Sequence, residues 1–358
     1  ERAYMINLIT KYLPKMQERF QQRSFTAGKA ANDYEFVGAK TIRILSMVSN
    51  PPVNFNRTGS GNRFGTVSNV QDTMQEMTLT QDKAFTGTID RGDNSQQGFL
   101  KKASAWLKLQ QDEQMIPMVD KYNLAQWAYN AGVVVDAGAA ISKSNIVDKL
   151  LDLEVELDDR GVTPSDRWCY VANSTYKMFR LASEFVGCDG ITDKLILKGY
   201  KGDLGTLKIV TVPKSYLPAN CVALVATKAC VLAPTTLTTA RILETVQGFD
   251  GPVIEGRRIY DAFVKGEISD GVAVLAESGK KAAKPTLTAA GKITPGTSDD
   301  YVMYTIDGTD PRYSTTAVKI TAETTPTHTA GDTIKAVSYQ DAADGVYHSD
   351  VASIVTTS

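Results

Sequence analysis

The sequence predicts an α+β fold followed by a small all-β module at its C-terminal end. Long segments in which apolar residues recur every three or four positions predict helices. Between residues 167 and 264, short apolar runs alternate with helical spacing, which is typical of a mixed α+β domain. Residues 283–358 contain 22 Ser or Thr among 76, lack Phe, Trp and Cys, and alternate apolar with polar positions, which predicts short strands.

Length and composition limit the class of protein. The chain has 358 residues, 42% of them hydrophobic, so it can bury a sizeable core, and about two domains are expected. The formal net charge of −1 argues against a general coat of basic residues for nucleic acid. The longest apolar candidate, residues 131–141, is interrupted by Asp136 and two glycines, and no basic-then-apolar signal sequence opens the chain. We therefore expect a soluble protein.

The beginning and the end of the chain differ in charge. The first 45 residues hold eight Lys or Arg against four acids, whereas the C-terminal module holds five basic residues against nine acids. Near the start, Tyr4, Leu8, Tyr12 and Met16 recur every four positions and predict an amphipathic helix, which Pro14 disturbs. This charge asymmetry is expected for a protein layer that has a polyanion on one face and solvent on the other.

A loop and a long hairpin are predicted to follow. Residues 49–65 contain two Pro and three Gly without periodicity, which indicates a loop. From residue 66 to residue 90 apolar and polar positions alternate as in strands, with a predicted tip at residues 81–83. An isolated two-stranded hairpin is marginally stable, so we expect it to lie on a surface of its own chain or of another subunit.

Two helices are predicted next. Residues 99–130 carry apolar side chains at helical spacing, and Pro117 must kink this helix or open its second half. A second helix begins near Asn145, a candidate N-cap, and ends before Gly161 and Pro164. The four acids near its end are typical of a solvated helix face and not of a metal or acid–base site.

Strands and one further helix complete the first part. The predicted elements are strands over residues 168–172, 207–212, 222–226 and 258–264, and a helix over residues 174–185. Residues 276–285 combine Lys with small residues, which indicates a linker and a domain boundary near residue 280. In the C-terminal module, residues 304–311 predict a strand and then a tight turn, because Asp and Gly accept turn geometry and Pro ends strand pairing.

The motifs predict no catalytic, cofactor-binding or metal site. The signatures GxxxxGK[ST], HExxH and GxSxG do not occur in the sequence. Asp307 and Asp310 are interpreted as turn residues in preference to a calcium site, and the Arg-Gly-Asp tripeptide at residues 91–93 as a turn. Without a CxxC pair or a neighbouring His, the cysteines are expected to be reduced, buried thiols. They are Cys169, Cys188, Cys221 and Cys230.

Five segments share their order and spacing with one protein family. They are residues 39–44 (AKTIRI), 77–85 (MTLTQDKAF), 115–122 (MIPMVDKY), 208–213 (KIVTVP) and 258–264 (RIYDAFV). Together they resemble the major capsid protein of tailed bacteriophages, which has the Hong Kong 97 fold. Some members of that family cross-link covalently through a Lys of an extended loop. Lys83 stands at the predicted hairpin tip, but no acid and Asn partners match, so no cross-link is predicted.

The resemblance implies a division of the chain into parts. The parts are an N-terminal arm with the start of the capsid fold (1–62), an extended-loop hairpin (63–95), a peripheral domain with its spine helix and an axial domain (96–279), and a C-terminal module (283–358). In the module, residues 304–311 (YTIDGTDP) and 333–339 (TIKAVSY) resemble the immunoglobulin-like C-terminal module of chitobiases. That resemblance implies a non-catalytic β-sandwich, here an outward decoration domain.

The two resemblances imply a structural protein that is not an enzyme and uses no cofactor. We expect a virion capsid protein that assembles in the bacterial host cytoplasm into hexamers and pentamers of an icosahedral shell. Double-stranded phage DNA would touch the inner face non-specifically. A portal and a scaffold or maturation protease are the other expected partners, and no membrane is expected. The alternatives are a cellular nanocompartment shell protein, a glycan-binding surface adhesin and a glycan-acting enzyme. The enzyme is disfavoured because the sequence shows no paired-carboxylate motif on a barrel-like repeat.

Overall fold

The computed structural model describes most of the chain. The described residues are 24–31, 33, 40–47, 52–58, 61–65, 72–96, 102–181, 200–244, 246, 248, 250–297, 301–340 and 345–357. The amphipathic helix predicted around Tyr4 and the thiol of Cys188 lie outside them. Within them the chain combines helices with several sheets, so the predicted α+β class is confirmed.

The elements are numbered in chain order. The strands are β1 (Thr41–Met47), β2 (Asp72–Thr78), β3 (Gln81–Thr88), β4 (Val133–Asp136), β5 (Arg167–Ala172), β6 (Tyr200–Leu204), β7 (Leu207–Val212), β8 (Cys221–Thr227), β9 (Val231–Leu232), β10 (Thr235–Leu243), β11 (Val253–Tyr260), β12 (Phe263–Val264), β13 (Val272–Ala276), β14 (Thr286–Leu287), β15 (Ile293–Thr294), β16 (Tyr301–Thr305), β17 (Val318–Ile320), β18 (Thr333–Tyr339) and β19 (Ala352–Val355). The α-helices are α1 (Arg91–Gln96), α2 (Ala103–Gln110), α3 (Ile116–Tyr129), α4 (Ile146–Asp159) and α5 (Asn173–Arg180).

A six-stranded sheet forms the centre of the molecule, in the order β4-β13-β8-β5-β7-β6. β5 pairs in parallel with β7, and β13 in parallel with β4, while the other neighbours are antiparallel. α3 packs on one face and α4 on the other, so every residue of β13 is buried. The strands predicted over residues 168–172, 207–212 and 222–226 are confirmed as β5, β7 and β8.

α2 and α3 form one long helix that is joined by a π-helical turn, Gln111–Met115. Pro117 lies in the first turn of α3, so the N–H that it lacks would otherwise join the ladder of the long helix directly after the π-helical turn. The π-helical turn Gln111–Met115, which lies directly before α3, is the local irregularity that Pro117 predicts in this helix. At the start of α4, Asn145 holds the predicted N-cap position, but its side-chain oxygen accepts a hydrogen bond from the Ser142 N–H (2.8 Å) and does not cap the helix.

The predicted hairpin with its tip at residues 81–83 is wrong. β2 pairs antiparallel with β1, with Thr41 opposite Thr78, whereas β3 pairs antiparallel with β11. β2 and β3 therefore belong to two different sheets. Lys83 lies within β3, opposite Arg258, and not at a loop tip.

Contacts distant in sequence separate β2 from β3. Thr80, between the two strands, donates its N–H to the Asp261 carboxylate (2.7 Å), and β3 continues alongside β11 with Phe85 against Gly256. Alternation of apolar and polar residues predicts the faces of a strand but not its partner. The antiparallel pair is therefore formed by residues 41–47 and 72–78. The predicted division of the chain at residues 62 and 95 stays a prediction.

Two shorter predictions also change. Residues 91–93, predicted as a turn, begin α1, where the Asn94 N–H donates to the Asp90 carbonyl (3.0 Å). The strand predicted over residues 258–264 is broken after Tyr260 into β11 and β12. The helix predicted over 174–185 is α5, and its last predicted residues lie outside the described part of the chain.

The C-terminal module is built from strands, as predicted. A four-stranded antiparallel sheet has the order β17-β16-β18-β19, and β14 pairs with β15. Its core contains Ile293, Val302, Ile334 and Ala336. The strand predicted at the start of residues 304–311 is the end of β16, and residues 333–339 form β18. The immunoglobulin-like sandwich stays a prediction.

Candidate functional site

The hairpin β1–β2 ends in an exposed apolar segment. We call its described residues between the two strands, 52–58 and 61–65, the tip. Val53 and Phe55 are 63% and 48% exposed, and Phe64 is 81% exposed. Exposed apolar patches on a soluble chain mark surfaces that bind a partner.

The tip is folded on itself. The rings of Phe55 and Phe64 meet edge to face with centroids 5.0 Å apart, and the Asn56 N–H donates to the Arg63 carbonyl (3.0 Å). Arg57 and Arg63 are the only charged residues in the sequence between β1 and β2. The tip therefore presents apolar rings and positive charge together.

The base of the hairpin is bound to the rest of the chain. The Gln75 side chain donates to the Val264 carbonyl (2.9 Å) and accepts from the Gly266 N–H (2.8 Å). Met77 on β2 is only 1% exposed, and the Thr73 hydroxyl donates to Glu267. The base is anchored by a buried side chain and by polar contacts, so the hairpin and the body meet at a defined orientation.

A buried carboxylate fixes the junction between β2 and β3. Asp261 is 3% exposed and accepts four hydrogen bonds, from the N–H and hydroxyl of Thr80, the hydroxyl of Tyr122 and the N–H of Ala262, at 2.7–2.9 Å. Tyr122 belongs to α3, so the same carboxylate ties the long helix to the hairpin. Burial, together with the neighbouring Asp261, raises the pKa of Tyr122, and its hydroxyl stays a donor at neutral pH.

A second buried carboxylate holds the segment that precedes the hairpin. Asp120 on α3 is 1% exposed and accepts from the Ser24 hydroxyl (2.7 Å), the Phe25 N–H (2.7 Å) and the Thr26 hydroxyl (2.6 Å). The Ala31 N–H donates to the Val231 carbonyl at 2.9 Å. Residues 24–26 are therefore held beside α3.

Sequence reasoning missed both carboxylates, although α3 carried a signal. Asp120 and Asn123 share the buried face of the helix with Leu124 and Trp127. Polar residues within an apolar helical stripe are costly to bury unless they are hydrogen-bonded, so they indicate a tertiary contact. The partner of such a residue is not encoded nearby, since Asp120 is 94–96 positions from its donors.

The predicted thiols are inert. Cys169, Cys221 and Cys230 are free, as expected. Burial raises the pKa of Cys169 and Cys221 to about 12 and that of Cys230 to about 11, so all three are protonated at neutral pH. In the described residues no group of three or more His, Cys, Asp or Glu could hold a metal ion.

The two acids of the module act in turns, as predicted. Asp307 accepts from the N–H (3.0 Å) and hydroxyl (2.6 Å) of Thr309 and from the Thr316 hydroxyl (2.7 Å). Asp310 accepts from the guanidinium of Arg312 at 2.6 Å.

None of the helices within the described ranges is long and apolar enough to cross a membrane.

Solved structures with the same architecture come from phages. A structure from Mycobacterium phage Che8 matches with a TM-score of 0.61 at 17% identity, over 76% of this chain and 98% of that chain. The capsid structure of cyanophage P-SCSP1u matches with 0.60 at 12% identity, over 75% and 93%. The mature capsid of bacteriophage PhiM1 matches with 0.59 at 13% identity, over 76% and 93%. This chain has the phage capsid fold.

The capsid fold accounts for about three quarters of the chain. The predicted resemblance to tailed-phage capsid proteins is therefore confirmed in the fold. No protein-family model matches the sequence, and no curated protein is significantly similar to it.

Proposed function

We propose that this chain is the major capsid protein of a tailed phage. Copies of it would assemble into hexamers and pentamers of an icosahedral shell around double-stranded DNA. The observation that carries the proposal is a match that includes 93–98% of the phage capsid chains. A likeness over nearly the whole of those chains supports the same structural role.

The hairpin supports assembly through its chemistry. Its base is anchored to its own subunit, while Phe55 and Phe64 at the tip are 48% and 81% exposed. Covering them on a neighbouring subunit would stabilise the contact by about 25 cal/mol per Å² of apolar surface removed from water. A hairpin of each subunit lying on the next makes a head-to-tail contact, which closes into a ring when the rotation between subunits permits.

Contact with DNA would come from few side chains. The net charge of −1 provides no general basic surface, and the N-terminal segment is the locally basic part of the chain. Attraction to phosphates through such a segment carries no sequence readout. A portal and a scaffold or maturation protease remain partners implied by the family resemblance, and the C-terminal module is proposed to face outward.

Electron microscopy of the fast-sedimenting fraction tests the proposal, after expression of the chain with its genomic neighbours. Uniform closed shells with nuclease-protected double-stranded DNA are the expected result. Shells that enclose protein cargo in place of DNA would identify the alternative with the same fold, a cellular nanocompartment. A monodisperse monomer without shells would contradict both, and glycan retention by residues 283–358 would then test the adhesin.

The role of the tip has its own test. The double change Phe55→Ser and Phe64→Ser removes apolar rings that are exposed in the subunit, so we expect wild-type subunit stability and loss of shells. Val318→Ser, at a 48% exposed position of the C-terminal module, is the matched control and should assemble normally. Wild-type shells from the tip variant would refute the proposed hairpin contact.

A further inference from the structure

The C-terminal module binds the short segment that directly follows the long helix. Just after α3, the Tyr313 hydroxyl donates to the Asn130 carbonyl (2.7 Å), and Arg312 donates to the Gly132 carbonyl (2.6 Å). Nε2 of His348 lies 2.8 Å from the carbonyl oxygen between them, that of Ala131. Three module side chains thus meet three consecutive carbonyl groups.

Arg312 is held in place for this contact. Its side chain is 7% exposed, and the Asp310 carboxylate accepts from it at 2.6–3.1 Å. Burial raises the pKa of Asp310, but the hydrogen bonds and the positive charge of Arg312 outweigh burial and keep this pKa below its ordinary value. A cation beside the C-terminal end of a helix also interacts favourably with the helix dipole.

The module also completes the core of the body. Tyr347 is 1% exposed and belongs to the same apolar cluster as Trp127 and Val274, between α3 and the central sheet. Its ring stacks on Tyr129 with centroids 5.7 Å apart, and its hydroxyl donates to the Ala219 carbonyl (3.0 Å). Removing the module would uncover this cluster.

The connection between body and module is itself paired. The Ala282 N–H donates to the Tyr347 carbonyl, and the Tyr347 N–H donates to the Lys280 carbonyl, both at 2.8 Å. Lys281 forms an ion pair with Asp350 at 2.7 Å. The segment predicted as a linker at residues 276–285 is therefore part of the contact surface.

The same contact reaches the base of the hairpin. A Cβ on Gly266 would lie 2.9 Å from Cβ of Tyr313, so the two backbones approach closely only because residue 266 is Gly. The Gly266 N–H donates to the side chain of Gln75 on β2. Tyr313 thus touches both the helix end and the loop that anchors the hairpin.

We propose that the C-terminal module is an intramolecular clamp that binds the end of the long helix and the base of the hairpin together. It fixes the angle at which the hairpin leaves the subunit, and it completes the subunit core. The module is then an integral part of the folded subunit and not a decoration that truncation near residue 280 removes cleanly. The clamp does not depend on the proposed capsid role, because every contact lies within one chain.

Amide hydrogen exchange of the full chain, measured by mass spectrometry, tests the clamp. The double change Arg312→Met and Asp310→Asn removes the Arg312 cation from this contact without leaving an unpaired carboxylate. We expect exchange to accelerate about tenfold or more in residues 124–132 and in β2, with β16 and β18 unchanged, because opening is confined to the contact. The matched control is Lys292→Met with Glu323→Gln, an exposed ion pair of 2.6 Å within the module.

A body-side variant gives an independent reading. Gly266→Ala inserts a methyl group against Tyr313 and should accelerate the same segments, whereas Gly92→Ala, whose Cβ would meet only the Asp90 carboxylate at 3.1 Å, should not. Unchanged exchange at residues 124–132 in both contact variants would overturn the clamp. Equal acceleration in the Lys292 and Glu323 control would overturn it as well, because the effect would then reflect the stability of the module alone.

Discussion

Tyr122 donates a 2.8 Å hydrogen bond to Asp261, and this bond ties the long helix to the junction between β2 and β3. The two residues are 139 positions apart in the sequence. Because β1 and β2 form the hairpin, the position of the hairpin relative to the helix depends on this carboxylate.

Changes at Asp261 should destabilise the subunit in proportion to the donors left without a partner. Asp261→Ala removes the acceptor of four hydrogen bonds and should lower the free energy of unfolding by about 3 kcal/mol, whereas Tyr122→Phe should lower it by about 1 kcal/mol. Urea titration measures both. Equal, small effects of the two changes would contradict the central role of the carboxylate.

Asp120→Ala should release the segment that precedes the hairpin. The change removes the acceptor of three hydrogen bonds from Ser24, Phe25 and Thr26, so protease cleavage near residue 24 should become faster by about tenfold or more. Limited proteolysis with mass spectrometry measures the rate. Asp159→Ala at the exposed end of α4 serves as the control. The same cleavage rate in both variants would show that Asp120 does not hold the segment.

His348 should make the subunit less stable in acid. Burial, followed by the charge of Arg312, lowers the pKa of His348 from 6.5 to about 4. The unfolded chain therefore binds a proton between pH 6.5 and pH 4 that the folded chain does not, and stability is lost as the pH falls through this window. The full effect is about 3 kcal/mol.

Thermal unfolding of wild type and His348→Gln between pH 7 and pH 4 checks this prediction. The difference in stability between the two proteins should shrink as the pH falls, because the variant lacks the titrating group. A constant difference across the window would mean that His348 does not titrate there.

Gly256→Ala tests the corrected pairing of β3. A Cβ at residue 256 would lie 2.3–2.4 Å from ring atoms of Phe85, so the variant should lose about 1–3 kcal/mol through overpacking. The double variant with Phe85→Leu should recover part of this loss, which denaturant titration would show. If β3 were the second arm of a hairpin with β2, Gly256 would not face Phe85 and the two changes would be additive.

Elements whose environment follows from local periodicity are predictable from the amino-acid pattern alone. The apolar positions of α4 recur every three or four residues, β7 (LKIVTV) is rich in Ile and Val, and both elements form where they are predicted. Asp307 was likewise predictable as a turn residue, because its donors are at most nine positions away.

Which elements pack against each other is visible only in the folded chain. Periodicity shows which face of a strand is apolar but not which strand lies beside it. The sequence therefore predicts that β2 pairs with β3, whereas the partner of β2 is β1. The burial of Asp120 and Asp261 and the insertion of Tyr347 into the core depend on partners 94 to 181 positions away. A contact over such a distance exists only after the chain has folded, so no local pattern encodes it.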